Sequence, residues 1–497
     1  MTLAELLQGY NINLPPLAKK VAGLCLDSRH ATPGAVFIAL RGAREHGIDY
    51  ALAAVAAGAI AVVYEPEGAN SLPDVDVPCV ALPDLAQHLG AIAARYYAQP
   101  SARLSVIGVT GTDGKTSVTH FIAAALQAAG QQAAVLGTLG IGQPGQLRRA
   151  THTTPDAIRV QHALHDLLAQ GQQAVAMEVS SHALHQGRVN AVDFDVAVLT
   201  NLTRDHLDYH GTVEAYAAAK QQLFHWPTLK HVVLNLDDEF GEKLAAELAE
   251  AAVQVIGYGV GAAKHYPVGS VIATHAAFTS TGIRADVSTP MGEGVLQAAV
   301  LGRFNLHNLL AALAVLLAQG FTLPVALHAL QQVQTVPGRM ERVMSPEVAA
   351  ERLVVVDYAH TPGALEQALQ ALRMHTQGRL WCVFGCGGDR DTGKRALMAE
   401  VAEQLADQVI VTDDNPRTES PEAIFAAIRD GFRNSTTVRF EHSRSQAIQL
   451  AVRHAQAGDA ILIAGKGHEA EQILADRIVP FDDREQAARV LQECMAR

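Results

Sequence analysis

Residues 104–117 read LSVIGVTGTDGKTS, and no other stretch limits the fold of this chain as strongly. An apolar, β-branched run passes without interruption into Thr110-Gly111-Thr112-Asp113-Gly114-Lys115-Thr116-Ser117, and the helical pattern SVTHFIAAALQAAG follows at once. A strand that ends in a glycine-bearing turn and opens a helix is half of a βαβ unit, which calls for a parallel sheet. Glycines let backbone N–H groups approach phosphate oxygens, Lys115 is suited to neutralise β/γ-phosphates, and Thr116 can offer its hydroxyl to Mg²⁺. The general pattern G-x-x-x-x-G-K-[ST] would place its first glycine on position 109, which is Val109, so this is a variant loop with Gly111 inside it. A chance Gly-Lys-Thr in a surface turn is the alternative, and the flanking strand and helix argue against it.

Short β-branched runs alternate with Ala/Leu-rich helical patterns along the whole chain, the pattern of an α/β fold. With 497 residues and a prior of about 150 per domain, three domains are expected. Residues 1–100 form the first and end at Gln99-Pro100. Residues 101–338 form a central phosphate-loop domain on a largely parallel sheet, closing near Val336-Pro337-Gly338-Arg339. Residues 339–497 form a Rossmann-like C-terminal domain. There, four apolar strands each run into a polar turn: DYAHTP (357–362), GCGGDRDTGKR (385–395), TDDNPRTE (412–419) and AGKGHE (464–469). Ligands of open parallel sheets bind outside the carboxyl ends of the strands, so these four turns are expected to share one edge and line one site.

A net charge of −12 argues against broad nucleic-acid or anionic-membrane binding, which needs a basic face. It leaves room for an anionic small substrate held by local Arg, Lys and helix-start N–H groups. The five cysteines (Cys25, Cys79, Cys382, Cys386 and Cys494) give no disulfide framework, and Cys382 and Cys386 lack a second pair at zinc spacing. A reducing compartment fits. The opening MTLAELLQGY carries Glu5 and no basic region before an apolar run, so a secretory signal is not expected, and no segment reaches the ~20 apolar residues of a membrane span. A cytoplasmic protein is expected.

Three further groups carry possible metal chemistry. Glu178 ends the apolar run AVAMEVSS, His206 follows VAVLTNLTRD, and Lys220 lies in the helical stretch EAYAAAKQQLF. Glu and His suit a Mg²⁺ site, although Mg²⁺ prefers oxygen and keeps waters. Taken singly, Glu178 also reads as a helix cap, His206 as a turn residue and Lys220 as a solvated helix residue.

Together, GTDGKTS, EVSSHAL, NLTRDHLDYH, AAAK, GRFNLHN, VPGRME, DYAHTP and GKGHE resemble the Mur ligases of peptidoglycan synthesis, in the family's order over nearly the whole chain. DSRHATPGAVFIALRG, GCGGDRDTGKR and DDNPRTE are similar to the MurE branch, which adds the third peptide residue, and DNPR resembles the signature of enzymes taking meso-2,6-diaminopimelate rather than L-lysine. The resemblance implies an ATP-dependent amide-forming ligase that uses ATP and Mg²⁺ and joins diaminopimelate to UDP-N-acetylmuramoyl-L-alanyl-D-glutamate through an acyl phosphate. It implies UDP-substrate contacts at Leu26, Ser28, Thr153, Thr154, Ser180, Gln186 and Arg188. It implies ATP contacts at Thr110, Gly111, Thr112, Asp113, Gly114, Lys115, Thr116, Asn308, Arg339 and Asp357. Arg390, Asp414, Asn415, Pro416, Arg417, Gly465 and Glu469 are implied for diaminopimelate. Lys115, Glu178, His206 and Lys220 are implied as catalytic, with Thr116, Glu178, His206 and carbamylated Lys220 (N6-carboxylysine) at the metal. A monomer is expected.

Two places depart from the family. Ala43-Arg44-Glu45 stands where some relatives carry His-Gln-Ala, and His152 stands where Asn is common; both bear on local contacts. The alternatives are an L-lysine-adding ligase of the same family, a folylpolyglutamate-synthetase-like ligase sharing the core, and a plain phosphate-loop ATPase or kinase. DSRHATPGAVFIALRG and DDNPRTE argue against the second, and the four C-terminal turns have no place in the third.

Overall fold

The computed structural model describes residues 1–12, 19–42, 45–69, 71–150, 152–261, 266–267, 269–343 and 352–495. Ala43 and Arg44 of the first departure lie outside them. The chain divides into two compact units, residues 1–257 and 258–497. That division falls inside the segment 101–338.

The first unit opens with a parallel four-stranded sheet in sequential order: Gly23–Cys25, Ala35–Ala39, Ala61–Tyr64 and Cys79–Ala81. Both faces of Ala35–Ala39 are buried, which is why it reads as an unbroken apolar run. Leu26 and Ser28 leave the end of Gly23–Cys25, and Asp27 caps the short 3₁₀ turn Ser28–His30 by accepting from Arg29 N at 3.0 Å.

The larger sheet of this unit places Ser105–Thr110 between Val196–Leu199 and Ala174–Glu178, all parallel, with His231–Asn235 and Ala133–Gly137 outside them. Val109 stands opposite Glu178 and Leu199 opposite Thr110, so the phosphate-type loop, Glu178 and the turn after Leu199 emerge from the same edge. The helix Lys115–Ala128 starts at Lys115, after Gly114 at φ +82°, two residues before the helical pattern SVTHF read from the sequence. Its face from Thr116 to Leu126 is almost wholly buried.

In the second unit, five parallel strands run in the order Leu353–Asp357, Ala460–Ala464, Leu380–Phe384, Gln408–Thr412, Arg439–Glu441, with Glu341–Arg342 antiparallel at the edge. The strand that comes last in the chain, Ala460–Ala464, inserts between Leu353–Asp357 and Leu380–Phe384, so the order reverses there, the place where open α/β sheets hold ligands. Asp357 is level with Ala464, Val383 with Ile463, and Phe384 with Val411. The four polar turns therefore do share one edge. Beneath them Arg444 is fully buried and forks onto Asp483 at 2.7 and 2.6 Å, with a further bond to the carbonyl of Ala464 at 3.0 Å. No helix of the described residues is long and apolar enough to cross a membrane.

Candidate active site

The loop in the first unit is held open from two sides. Gly111 has φ +146°, and a Cβ there would collide with Thr200 Oγ1, so only glycine fits the close pass of the two strand ends. Asp113 N donates to Asn201 Oδ1 at 2.9 Å, and Thr200 Oγ1 donates to Asp113 O at 2.6 Å. Thr112 N donates to Asn201 O at 2.9 Å, and the Thr112 hydroxyl meets Tyr216 OH at 3.2 Å. Lys115 Nζ folds back on the loop, donating to Gly111 O at 2.9 Å and Thr112 O at 2.7 Å. Thr110 carries the strand end, with its hydroxyl buried.

Glu178 lies against this loop. Its carboxylate is buried and accepts from Thr116 Oγ1 at 3.0 Å, Thr138 N at 2.8 Å and Thr138 Oγ1 at 3.1 Å. Burial pushes its pKa up, opposed by the Lys115 charge and these hydrogen bonds. Gly137 makes room for it, since a Cβ there would strike Glu178 Oε1. Thr138, which the sequence did not single out, also has its hydroxyl oxygen 3.0 Å from Thr153 Oγ1, within hydrogen-bond distance. Thr154 Oγ1 donates to Glu178 O at 2.8 Å and accepts from Ser180 N at 3.1 Å. Arg188 donates to Thr154 O at 3.0 Å and forks onto Gln186 Oε1 at 2.9 and 2.6 Å. Thr153, Thr154, Ser180, Gln186 and Arg188 thus form one connected network with Glu178. His152 is exposed immediately before it.

Lys220 is buried on the helix Val213–Gln221, and its Nζ donates to Gly111 O at 2.7 Å. It also lies 4.5 Å from the centroid of the Tyr216 ring. Desolvation first, and the nearby Lys115 charge second, bring its pKa down to about 6. Desolvation raises the Tyr216 phenol to about 12. His206 stands at φ +51°, half-exposed, paired with Asp205 at 3.5 Å and edge-on to His182 at 4.9 Å. The structure therefore brings Lys115, Thr116, Glu178 and Lys220 together around one loop, while His206 sits outside the hydrogen bonds that join them.

The second unit holds the remaining residues. Asn308 is buried on the helix Arg303–Ala318 and donates to Asn305 Oδ1 at 2.9 Å. Arg339 lies over the Tyr358 ring at 5.2 Å. Asp357 is buried and its pKa is raised by desolvation, against hydrogen bonds from Met340 N at 2.7 Å and Ala359 N at 2.8 Å. Around the shared strand edge, Arg417 has φ +53° and donates to Gly388 O at 2.9 Å, and its N–H reaches Ile473 O at 3.1 Å. A non-glycine residue held in this region marks a constrained turn. Asn415 donates to Glu469 Oε2 at 2.9 Å. Asp414 is buried with its pKa raised by desolvation, close against Gly465. Pro416 is buried and Arg390 exposed.

Mg²⁺ takes oxygen ligands and completes its shell with waters and substrate phosphates. The Thr116 hydroxyl and the buried Glu178 carboxylate, 3.0 Å apart, fit that demand, whereas the Lys220 amine by itself offers no oxygen. No group of three His, Cys, Asp or Glu side chains spaced for a metal occurs among the described residues.

A phosphate-type loop on a parallel sheet, with a buried carboxylate and a buried lysine at its mouth, defines a nucleotide-binding α/β protein. Sequence profiles for the Mur ligase family, catalytic domain, match residues 20–97; the Mur ligase middle domain matches 109–316; and the Mur ligase, glutamate ligase domain, matches 338–467. The chain is 50% identical over 474 residues (94% of each chain) to the UDP-N-acetylmuramoyl-L-alanyl-D-glutamate--2,6-diaminopimelate ligase of Pseudomonas putida. It is 51% identical over 468 residues (again 94% of each) to the protein of the same name from Pseudomonas aeruginosa. A solved structure of a ligase with that name superposes with a TM-score of 0.77 at 38% identity, covering 99% of both chains. The chain belongs to the Mur ligase family, whose members are ATP-dependent, amide-forming acid–amino-acid ligases.

Proposed function

We propose that this chain adds meso-2,6-diaminopimelate to UDP-N-acetylmuramoyl-L-alanyl-D-glutamate in peptidoglycan precursor synthesis, acting as a monomer in the cytoplasm. Support for the substrates comes from the names of relatives about half identical to it over nearly their whole length. The observation that carries the proposal is the joining of the turn 414–417 to Glu469, whose Oε2 accepts from Asn415 Nδ2 at 2.9 Å, so the turn bearing Arg417 and the turn bearing Glu469 are held to each other. Diaminopimelate offers a distal carboxylate and a distal ammonium, and Arg417 and Glu469 are assigned to them. A guanidinium grips a carboxylate through two parallel bonds, and L-lysine would leave Arg417 unpaired. Arg390, Asp414, Pro416 and Gly465 complete the amino-acid site.

A carboxylate is a poor acyl donor because oxide would have to leave. The γ-phosphoryl group of ATP passes to the D-glutamyl carboxylate, the amine attacks the acyl phosphate, and phosphate departs. Phosphoryl transfer depends mainly on positioning and charge neutralisation. Residues 110–116 cradle the phosphates, with Lys115 supplying positive charge. Asn308 is assigned to adenine, and Arg339 and Asp357 to the phosphates and ribose. Thr116, Glu178, His206 and carbamylated Lys220 would hold Mg²⁺, which supplies Lewis-acid polarisation of phosphate oxygens when bound. The neutral amine of Lys220 is the form that adds CO₂, and the carbamate presents oxygens where an ammonium would repel a cation. Leu26, Ser28 and the network from Thr153 to Arg188 hold the UDP-linked substrate. The three-domain division 1–100, 101–338 and 339–497 belongs to the same proposal.

With ¹⁸O in the D-glutamyl carboxylate, one label is expected in the released phosphate. Phosphate free of label would exclude the acyl-phosphate route.

A further inference from the structure

Lys466 lies next to Gly465 in the turn that follows the strand Ala460–Ala464, and its side chain is fully buried. An ammonium has three protons to donate. Three oxygens receive them: Asn415 Oδ1 at 3.1 Å, Glu469 Oε2 at 3.2 Å and the carbonyl of Glu471 at 2.6 Å. Burying a charge is costly unless it is paired and hydrogen-bonded, and this one is paired in full.

Two of those acceptors belong to residues proposed to hold the incoming amino acid. Asn415 Nδ2 donates to the same Glu469 Oε2 at 2.9 Å, and Asn415 Oδ1 also accepts from Ile473 N at 2.9 Å. Lys466 and Asn415 therefore grip one oxygen of Glu469 from two directions. The other, Oε1, takes no hydrogen bond among the described residues, and about a third of the side chain is exposed. Glu469 follows Lys466 by three residues in an irregular turn, and without these two donors its torsions would let the carboxylate swing. The same lysine clamps the strand Glu471–Ile473 beneath the turn 414–417, where Ile473 O accepts from Arg417 N at 3.1 Å.

We infer that Lys466 is a positioning residue for amino-acid recognition: it fixes Glu469 with one carboxylate oxygen facing the substrate ammonium, and it holds Asn415 and Glu471–Ile473 against the Arg417 turn. This rests on the proposed amino-acid site. Holding a recognition group within a fraction of an ångström depends on such supporting contacts.

The test is a double-mutant cycle on the full-length enzyme with Lys466→Met, Glu469→Gln and the pair, measuring KM for meso-diaminopimelate, ATP and the UDP-linked dipeptide, with a thermal melt of each. Each single change is expected to raise the diaminopimelate KM about tenfold or more, within the range for losing one charged hydrogen-bond partner. The other two KM values should stay within about twofold, and the pair should add little to the larger single effect. A diaminopimelate KM unchanged by Glu469→Gln would overturn the amino-acid site itself. A raised KM for Glu469→Gln with none for Lys466→Met, or fully additive effects, would overturn the role of Lys466. Should Lys466→Met not fold, Lys466→Gln replaces it; if neither yields folded protein, Lys466 holds the fold rather than the site and the inference is wrong.

Discussion

The Nζ of Lys220 donates to the carbonyl oxygen of Gly111 at 2.7 Å, tying a buried lysine to the phosphate-type loop. Lys115 Nζ donates to that same oxygen at 2.9 Å, so two lysines face one carbonyl, and at neutral pH only one need be charged. With the Lys220 pKa brought down to about 6, its amine is neutral above pH 6 and open to CO₂, and is protonated below it. Turnover should therefore fall as pH drops through 6, in step with loss of the carbamate signal in ¹³C NMR under labelled CO₂. Lys220→Ala should lose about a thousandfold in activity, as expected for removing several kcal/mol of metal-site charge stabilisation, and short carboxylic acids should restore part of it. Normal turnover in the alanine variant would remove Lys220 from the mechanism.

Gly137 exists for Glu178. A methyl group at position 137 would strike Glu178 Oε1, and the carboxylate would have to leave its bonds to Thr138 N and Thr116 Oγ1. Gly137→Ala should raise the Mg²⁺ concentration needed for half-maximal activity by about tenfold or more, the scale seen when groups supporting a metal ligand are lost. Titration of activity against Mg²⁺ checks this, and an unchanged midpoint would detach Glu178 from the metal.

Arg417→Ala should raise the diaminopimelate KM by about 10- to 100-fold, the equivalent of a charge-assisted hydrogen-bond pair. Arg417→Lys should recover little, because an ammonium lacks the planar fork. Steady-state kinetics at saturating ATP checks both.

His120 is buried on the helix Lys115–Ala128, and desolvation lowers its pKa from 6.5 to about 4. Between those values the unfolded chain binds a proton there that the folded chain does not, so stability declines as pH falls from 6.5 towards 4. The contribution is on the order of 2–3 kcal/mol. Denaturant melts of His120→Gln should show a shallower loss of stability over that window than the parent protein.

Arg444 and Asp483 form a fully buried pair. Arg444→Met or Asp483→Asn alone should cost about 3–5 kcal/mol by stranding a charge, and replacing both by apolar residues should cost clearly less. Chemical denaturation of the three variants measures the difference.

What was legible in the sequence was local. The loop 110–117 could be read because strand, turn and helix follow one another directly, and the four C-terminal turns because each ends an apolar run. Glu178 and Lys220 each had an ordinary alternative, and what decides between them is strand pairing across many residues: Val109 opposite Glu178, and the helix Val213–Gln221 returning to Gly111. Thr138 was missed for the same reason, since it meets Glu178 only because Ala133–Gly137 lies beside Ala174–Glu178. Lys466 was hidden inside a recognisable string, GKGHE, whose letters do not say that its lysine points inward.

The most direct test follows phosphate release from ATP and Mg²⁺ with UDP-N-acetylmuramoyl-L-alanyl-D-glutamate in three reactions: with meso-diaminopimelate, with L-lysine, and with neither. Release that requires diaminopimelate, accompanied by a UDP-tripeptide of matching mass, is the predicted result. Equal or faster release with L-lysine would contradict the assignment of Arg417, and release independent of any amino acid would contradict the proposed reaction itself.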